Sequence, residues 1–259
     1  MTAAYSDPAA LLPGMAEAAR AAGAAILHHY EAGVDPSRKA DGSPVTAADT
    51  AAEAVITPAL RALAPDIPVI AEEAFSRGEI PDLSTGPFWL VDPLDGTKEF
   101  LKRNGEFTVN IALVTRDGPL AGVVYLPVTG EMFTGCGPGT AARQLGSGPA
   151  ESIQARRAPD AGLTVMVSRS HADTEKLEGF LKDWPVAERV VAGSSLKFCR
   201  IAQGLADLYP RLGPTMEWDT AAGHAVLDAA GGRVVKLDGS PFTYGKSGFL
   251  NGNFLARGA

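Results

Sequence analysis

Cysteine is scarce in this chain: Cys136 and Cys199 are the two in 259 residues. Two isolated thiols exclude a disulfide framework and a cysteine-ligated zinc site, and they suit a reducing, cytosolic compartment. Basic residues are also few, 23 Lys and Arg against 30 Asp and Glu, which leaves a net charge of −7 and a pI near 5.2. That balance argues against broad nucleic-acid binding, which needs a concentration of Lys and Arg along a phosphate backbone. A small anionic substrate stays open if cations gather locally or metals bind. No apolar run approaches the length of a membrane span, so no integral membrane segment is expected. The Ala- and Leu-rich N-terminus has no basic residue before Arg20, and Asp7, Glu17 and Glu31 interrupt it. It reads as a helix of the mature protein, not a signal peptide. The expected location is cytoplasmic, with peripheral contact at the cytoplasmic face of the inner membrane left open. Aromatic residues make up only 7 % and charge is dispersed, so no interface stripe separates monomer from homodimer.

What is present is an apolar fraction sufficient for a full core, in a length that suits one large domain with two lobes. Ala and Leu predict a helix over 8–29, ended by Gly33 and Pro36. A second helix is expected from the Thr46 or Asp49 cap to about Leu63, with a kink or break near Pro58. Short buried strands follow at 68–71 and 88–92, and both terminate in acids. The runs 108–114 and 120–125 flank Arg116-Asp117-Gly118-Pro119, a hairpin signal. The polar, Gly-rich stretch 135–149 reads as a flexible loop, and the boundary between lobes 1–150 and 151–259 is placed there. Beyond it a strand is expected at 163–168, a helix at 171–181, a short strand at 190–192 and a helix at 195–208 with Leu196, Cys199, Leu205 and Leu208 on one face. A last helix at 220–230 is closed by Gly231-Gly232. Strands and helices mix without βαβ alternation, so a layered α+β or mixed α/β fold is favoured over a dinucleotide-binding one. Gly135-Cys136-Gly137-Pro138-Gly139 does not make a nucleotide loop, because no strand-then-helix context surrounds it.

Chemistry concentrates where elements end: Glu72 and Glu73 after one strand, Asp92 and Asp95 after the next, Asp219 at a helix entrance. Hard divalent cations take oxygen ligands, and Mg2+ is commonly held by a few carboxylates, water and substrate phosphate. Pro93 restrains the turn so that Asp92 and Asp95 can converge, the Leu94 carbonyl offers a neutral oxygen, and Gly96 permits close approach to a ligand. Thr97-Lys98-Glu99 then opens a helix whose amides suit a phosphoryl oxygen. A lone Asp-x-x-Asp is more often a turn or a cap, with Glu72 and Glu73 as solvated loop acids. The apolar strand before the pair and the Gly-Thr after it favour a site. The spacing fits neither an EF-hand nor an Asp-x-Asp phosphoaspartate signature. His28, His29 and His224 lack partners at metal spacing and read as packing or surface residues, and Cys199 reads as core.

Asp92-Pro93-Leu94-Asp95-Gly96-Thr97 and Glu217-Trp218-Asp219-Thr220-Ala221-Ala222-Gly223 resemble the two signature motifs of the inositol monophosphatase superfamily of Mg2+-dependent, lithium-sensitive phosphatases. The resemblance spans about 41–232. The segments 97–100, 102–113 and 193–199 are similar to its CysQ branch, the 3′(2′),5′-bisphosphate nucleotidases. The resemblance implies a layered αβαβα sandwich and two or three Mg2+ per active site. It implies that Glu72, Asp92 and the Leu94 carbonyl hold one metal and that Asp92, Asp95 and Asp219 hold a second, with Glu73 a neighbour or a third-metal ligand. It further implies that Asp49 pairs with Thr97 to orient the attacking water, that Gly96 and Thr97 meet the scissile phosphate, and that His171, Ser194, Lys197, Arg211 and Asp219 meet the nucleotide. Without the family pattern, Lys197 and Arg211 would read as a helix-face Lys and a turn Arg in water, and His171 as a locally bonded helix start. The expected activity is hydrolysis of adenosine 3′,5′-bisphosphate to AMP and phosphate, linked to sulfate assimilation, with lithium inhibition. The alternatives are an inositol monophosphatase or other small sugar-phosphate phosphatase, and a non-catalytic nucleotide-binding sensor.

Overall fold

The structure, a computed structural model, describes residues 7–33, 37–38, 44–83, 86–169 and 174–259. Helix α1 (Leu12–Ala32) leaves a 3-10 turn, Pro8–Leu11, and stops at Gly33, whose φ of 77° no helix can continue. Helix α2 (Ala47–Leu63) starts from a reciprocal Thr46–Asp49 capping box. Of the kink or break expected near Pro58, the break is absent: Pro58 lies on the exposed side of an uninterrupted helix. The two helices cross one face of a seven-stranded sheet. Its strands are β1 (Val69–Ala71), β2 (Phe88–Asp95), β3 (Thr108–Thr115), β4 (Gly118–Leu126), β5 (Glu131–Gly135), β6 (Ala142–Leu145) and β7 (Ala150–Ser152), adjacent in chain order. Only the β1–β2 pair is parallel, and the hairpin expected around Arg116-Asp117 joins β3 to β4. Short helices α3 (Glu72–Ser76) and α4 (Thr97–Leu101) follow β1 and β2.

The expected loop at 135–149 is corrected by β5, β6 and β7, which pair antiparallel out to the sheet's edge. Of these, β6 and β7 are half-buried or exposed, so they carry little of the apolar alternation that marks a strand. A second sheet of five strands holds β8 (Leu163–Ser168), β9 (Val186–Ala192), β10 (Leu208–Arg211), β11 (Arg233–Lys236) and β12 (Phe254–Arg257) in the order β9-β8-β10-β12-β11. Helices α5 (Thr174–Leu181), α6 (Leu196–Ala202) and α7 (Ala221–Ala229) pack with these sheets, and two small two-stranded pairs, Ser37–Arg38 with Pro44–Val45 and Thr215–Met216 with Leu250–Asn251, lie beside them. The short strand expected at 190–192 is the end of the longer β9. The helix expected at 195–208 stops at Ala202: Gly204 turns the chain at φ 70°, Leu205 is 57 % exposed, and Leu208 opens β10. Leu196 and Cys199 therefore share a core that Leu208 does not enter.

Side-chain direction makes the layers. Along β2, Trp89 and Val91 pack toward α1 and α2, while Phe88 and Leu90 pack toward α6 and α7. On β8, Met166 joins this inner core and Val165 points outward to Leu177 and Leu181 of α5. Helices cover both faces of the central strands of each sheet, giving an αβαβα sandwich of mixed sheets with exposed edges; strands buried on both faces read as continuous apolar runs. Within residues 8–32 an 18-residue window reaches a mean hydropathy of 1.2, so by length and composition this stretch is long and apolar enough to cross a membrane, contrary to the expectation from sequence. Here Met15, Ala19, Ala22 and Ile26 of that stretch are buried in the core shared with Trp89 and Val91.

Candidate active site

The C-terminal end of β2 carries the decisive irregularity. Asp92 pairs with Asn110 and Asp95 with Thr108, so three steps on one strand face two on the other. Residues three apart on a regular strand point to opposite faces, and the extra residue brings both carboxylates to the same side. Pro93 supplies no amide, and the Leu94 amide turns back to Asp92 Oδ1 at 3.0 Å. Gly96 follows at φ 96°, a left-handed conformation that a side chain would strain, and α4 begins. Both carboxylates, the Leu94 position, Gly96 and Thr97 line one cavity of about 600 Å³.

Glu72 enters that cavity from the start of α3, and Asp219 from the segment before α7. Glu73 is buried and is not among the residues that line the cavity; its amide donates to Glu53 Oε2 at 2.8 Å. Asp219 Oδ2 accepts from the Met216 amide at 2.8 Å. Asp95 Oδ2 accepts from the Ser195 amide at 2.7 Å and from Asn110 Nδ2 at 3.2 Å. Burial, then the Asp95 and Glu72 charges, hold the Asp219 carboxyl well above the usual carboxylate range. Burial also raises Asp95, against the pull of Lys197, Asn110 and Ser195. Acids that repel one another at hydrogen-bonding distance from backbone amides, in one cavity, are a donor set for a hard divalent cation. Among the described residues no three His, Cys, Asp or Glu side chains converge closely enough to clasp an ion as they stand.

Asp49 reaches the site from the first turn of α2. Its Oδ2 accepts from the Thr46 amide at 2.8 Å and the Thr46 hydroxyl at 2.7 Å, and its Oδ1 lies 3.4 Å from Thr97 Oγ1. The carboxylate is fixed by its own capping box and turned toward the hydroxyl. The facing wall comes from the second sheet. Lys197 is buried, not a solvated helix face: Nζ donates to Ser194 O at 2.6 Å and Ala192 O at 3.3 Å and lies 5.1 Å from the Tyr209 ring centroid. Arg211 donates to Ser168 Oγ at 3.2 Å and Pro214 O at 2.8 Å. Ser194, Lys197 and Arg211 all line the cavity, and Ser194 Oγ is buried without a hydrogen-bond partner. His171 lies outside the described residues.

Several neighbours were not singled out from the sequence. Arg169 lines the cavity and pairs with Glu106 through two bonds, 2.7 and 3.0 Å. Ser195 Oγ donates to Asp219 O at 2.7 Å and accepts from Asn110, which ties the two acid-bearing segments together. Glu53 anchors the start of α3. Fully buried Glu217 accepts the Gly245 and Lys246 amides at 2.7 and 3.0 Å, bracing the segment that carries Asp219. Asn110 and Glu53 lie inside otherwise apolar strand and helix runs, a signal of buried polar function that could have drawn notice.

The model of the inositol monophosphatase family matches residues 7–258. The 3′(2′),5′-bisphosphate nucleotidase CysQ of Escherichia coli K12 is 48 % identical over 247 residues, covering 94 % of this chain and 98 % of the relative. Among solved structures, CysQ from Bacteroides thetaiotaomicron superposes with a TM-score of 0.78 at 39 % identity, covering 95 % of this chain and 96 % of that one. The inositol monophosphatase from Anabaena gives 0.75 at 27 % identity, with 97 % and 92 % covered. The match runs through both acid-bearing segments and nearly the whole chain, and on that ground the chain belongs to the inositol monophosphatase family.

Proposed function

We propose that this chain, an enzyme of the phosphoric monoester hydrolase class, hydrolyses the 3′-phosphate of adenosine 3′,5′-bisphosphate, giving AMP and phosphate, and thereby serves sulfate assimilation. The identity to CysQ nucleotidases supports that substrate. The single observation that carries it is one cavity with acids on one wall and Lys197 and Arg211 on the other. A second phosphate needs cations of its own, and an otherwise acidic protein has placed two there.

Divalent metal dependence goes with the family, and we assign the metal as Mg2+, two or three per site, with Glu72, Asp92, the Leu94 carbonyl, Asp95 and Asp219 as the residues that would hold it. When bound, such ions lower the pKa of water and neutralise charge on phosphoryl and leaving oxygens. The chain's own residues do the rest. Thr97 donates its hydroxyl proton to Asp49 Oδ1, so its oxygen lone pairs are left to accept from a water and aim it at phosphorus. Asp49 cannot swing away, since Thr46 occupies its other oxygen. The Gly96 backbone admits the scissile phosphate closely, and Ser194, Lys197, Arg211 and His171 receive the nucleotide.

The test is phosphate release from adenosine 3′,5′-bisphosphate and from inositol 1-phosphate, side by side, with Mg2+ and with a chelator. The nucleotide should be strongly preferred and the chelator should abolish release. Preference for inositol 1-phosphate would overturn the substrate assignment and leave the metal site standing, and metal-independent release would overturn the latter.

A further inference from the structure

Besides the contacts of Ser195, a side chain outside both acidic motifs holds the second-sheet wall to the first. Glu106 sits in the segment between α4 and β3. Its Oε2 accepts from the Gly193 amide at 2.8 Å and from Arg169 Nε at 3.0 Å, and its Oε1 accepts from Arg169 Nη2 at 2.7 Å. Gly193 and Arg169 follow the ends of β9 and β8, neighbouring parallel strands, and both line the cavity. One carboxylate therefore grips two strand ends that present the substrate wall.

The turn it grips is strained. Ser194 is a non-glycine residue at φ 42°, a conformation that persists only where the surroundings over-determine it. Its neighbours supply that constraint. On one side Gly193 is pressed against the Glu106 segment so closely that a Cβ would stand 2.7 Å from Glu106 O and 2.8 Å from Glu99 Cγ. On the other, Ser195 is fixed to Asp95, Asn110 and Asp219. Between them the Ser194 carbonyl holds Lys197 Nζ, and the Ser194 hydroxyl is the orphaned buried group. With Glu106 removed, the Ser195 anchor to the acids remains but the Gly193 anchor is lost, and Ser194, Lys197 and Arg169 lose their placement together.

We propose that Glu106 is the positioning residue of the substrate wall, setting Ser194, Lys197 and Arg169 through Gly193 and Arg169 without touching the reacting phosphate. The proposal uses the nucleotidase reading only in taking that wall as the one that binds substrate.

The experiment compares full-length wild type, Glu106→Ala and Glu106→Gln with Mg2+ on whichever of the two substrates above the wild type hydrolyses better. Gln keeps one carbonyl oxygen for the Gly193 amide but cannot hold the forked Arg169 pair. A charge-assisted hydrogen bond is worth about tenfold and a neutral one less, so KM should rise about tenfold in E106A and about threefold in E106Q. In both, kcat and the half-saturating Mg2+ concentration should stay within about twofold, since the acid wall keeps its own anchors. KM unchanged in both variants overturns the proposal, as does a loss carried by kcat or by Mg2+ affinity. Should E106A fail to fold, E106Q carries the same test at an unchanged melting temperature. A wild type that prefers inositol 1-phosphate refutes the nucleotide reading alone, and the KM–kcat split on that substrate still decides the role of Glu106.

Discussion

As a proposed metal ligand, Asp219 would meet opposite demands without and with the ion. Its folded pKa is raised, by burial first and then by Asp95 and Glu72, so its ionised form opposes folding. The linkage sign follows: stability is fully present below the unfolded value and is lost as pH rises through the folded one. Asp219→Asn should therefore hold or raise the melting temperature of the chelator-treated protein at neutral pH while turnover collapses. Even outer partners of metal ligands cost about 10–100-fold in affinity or activity, so the loss in kcat/KM should be at least about a hundredfold. Wild-type-like turnover in a metal-defined assay would sink the ligand assignment, and a lowered melting temperature would sink the repulsion argument. At this scale the sequence was most legible for Asp92 and Asp95, whose flanking Pro93 and Gly96 announce a turn. Glu106 and Arg169 were not legible, because they lie 63 positions apart and nothing but the packing of two sheets brings them together.

Proline chemistry alone does not decide whether α2 continues through Pro58; exposure and packing do. Pro58 predicts a kink or a break because it lacks an amide and crowds the preceding turn, and the break does not occur. The proline stands on the solvent side, with Ile56 and Leu60 beside it buried in the core, and that packing holds the helix through it. The missing bond to the Ala54 carbonyl is then a standing cost. Pro58→Ala should stabilise the protein by about 1–3 kcal/mol, below the full propensity difference because the unfolded chain regains freedom. Denaturant midpoints compare the two, and an unchanged or lower midpoint would mean that the proline is accommodated without penalty. The same competition between local signal and packing explains β6 and β7, whose Gly and Pro neighbours read as loop although edge pairing with β5 makes them strands. It also explains why α6 ends early: Gly204 sets the stop, which the apolar periodicity of Leu205 and Leu208 concealed.

Across the whole molecule, layers that contribute to one cavity must keep their relative placement, and buried ion pairs mark where they are tied. Glu131 of β5 accepts from Arg143 of the neighbouring strand and from Arg200 of α6, joining the first sheet to the inner helices. Asp207 accepts a forked pair from Arg156, at 2.8 and 2.9 Å, and the Thr164 amide at 2.7 Å, joining the connection between sheets to β8. Burial disfavours ionisation of both acids, yet the Arg200 and Arg143 bonds to Glu131, and the Arg156 and Thr164 bonds to Asp207, outweigh it and leave both depressed. A depressed folded pKa contributes stability that is fully present above the unfolded values, about 3.9 for Asp and 4.3 for Glu, and is lost as pH falls through the folded ones. Glu131 and Asp207 should thus make the wild type lose stability steeply on the acid side, and Asp207→Asn should flatten that slope while lowering stability at neutral pH, because Arg156 and the Thr164 amide lose their anion. Melting temperatures from neutral pH down through the carboxylate range, taken in chelator so that ligand acids contribute no metal term, measure both. Parallel curves for wild type and variant would show that Asp207 is not ionised in the folded protein and that the tie between sheets is held by packing alone.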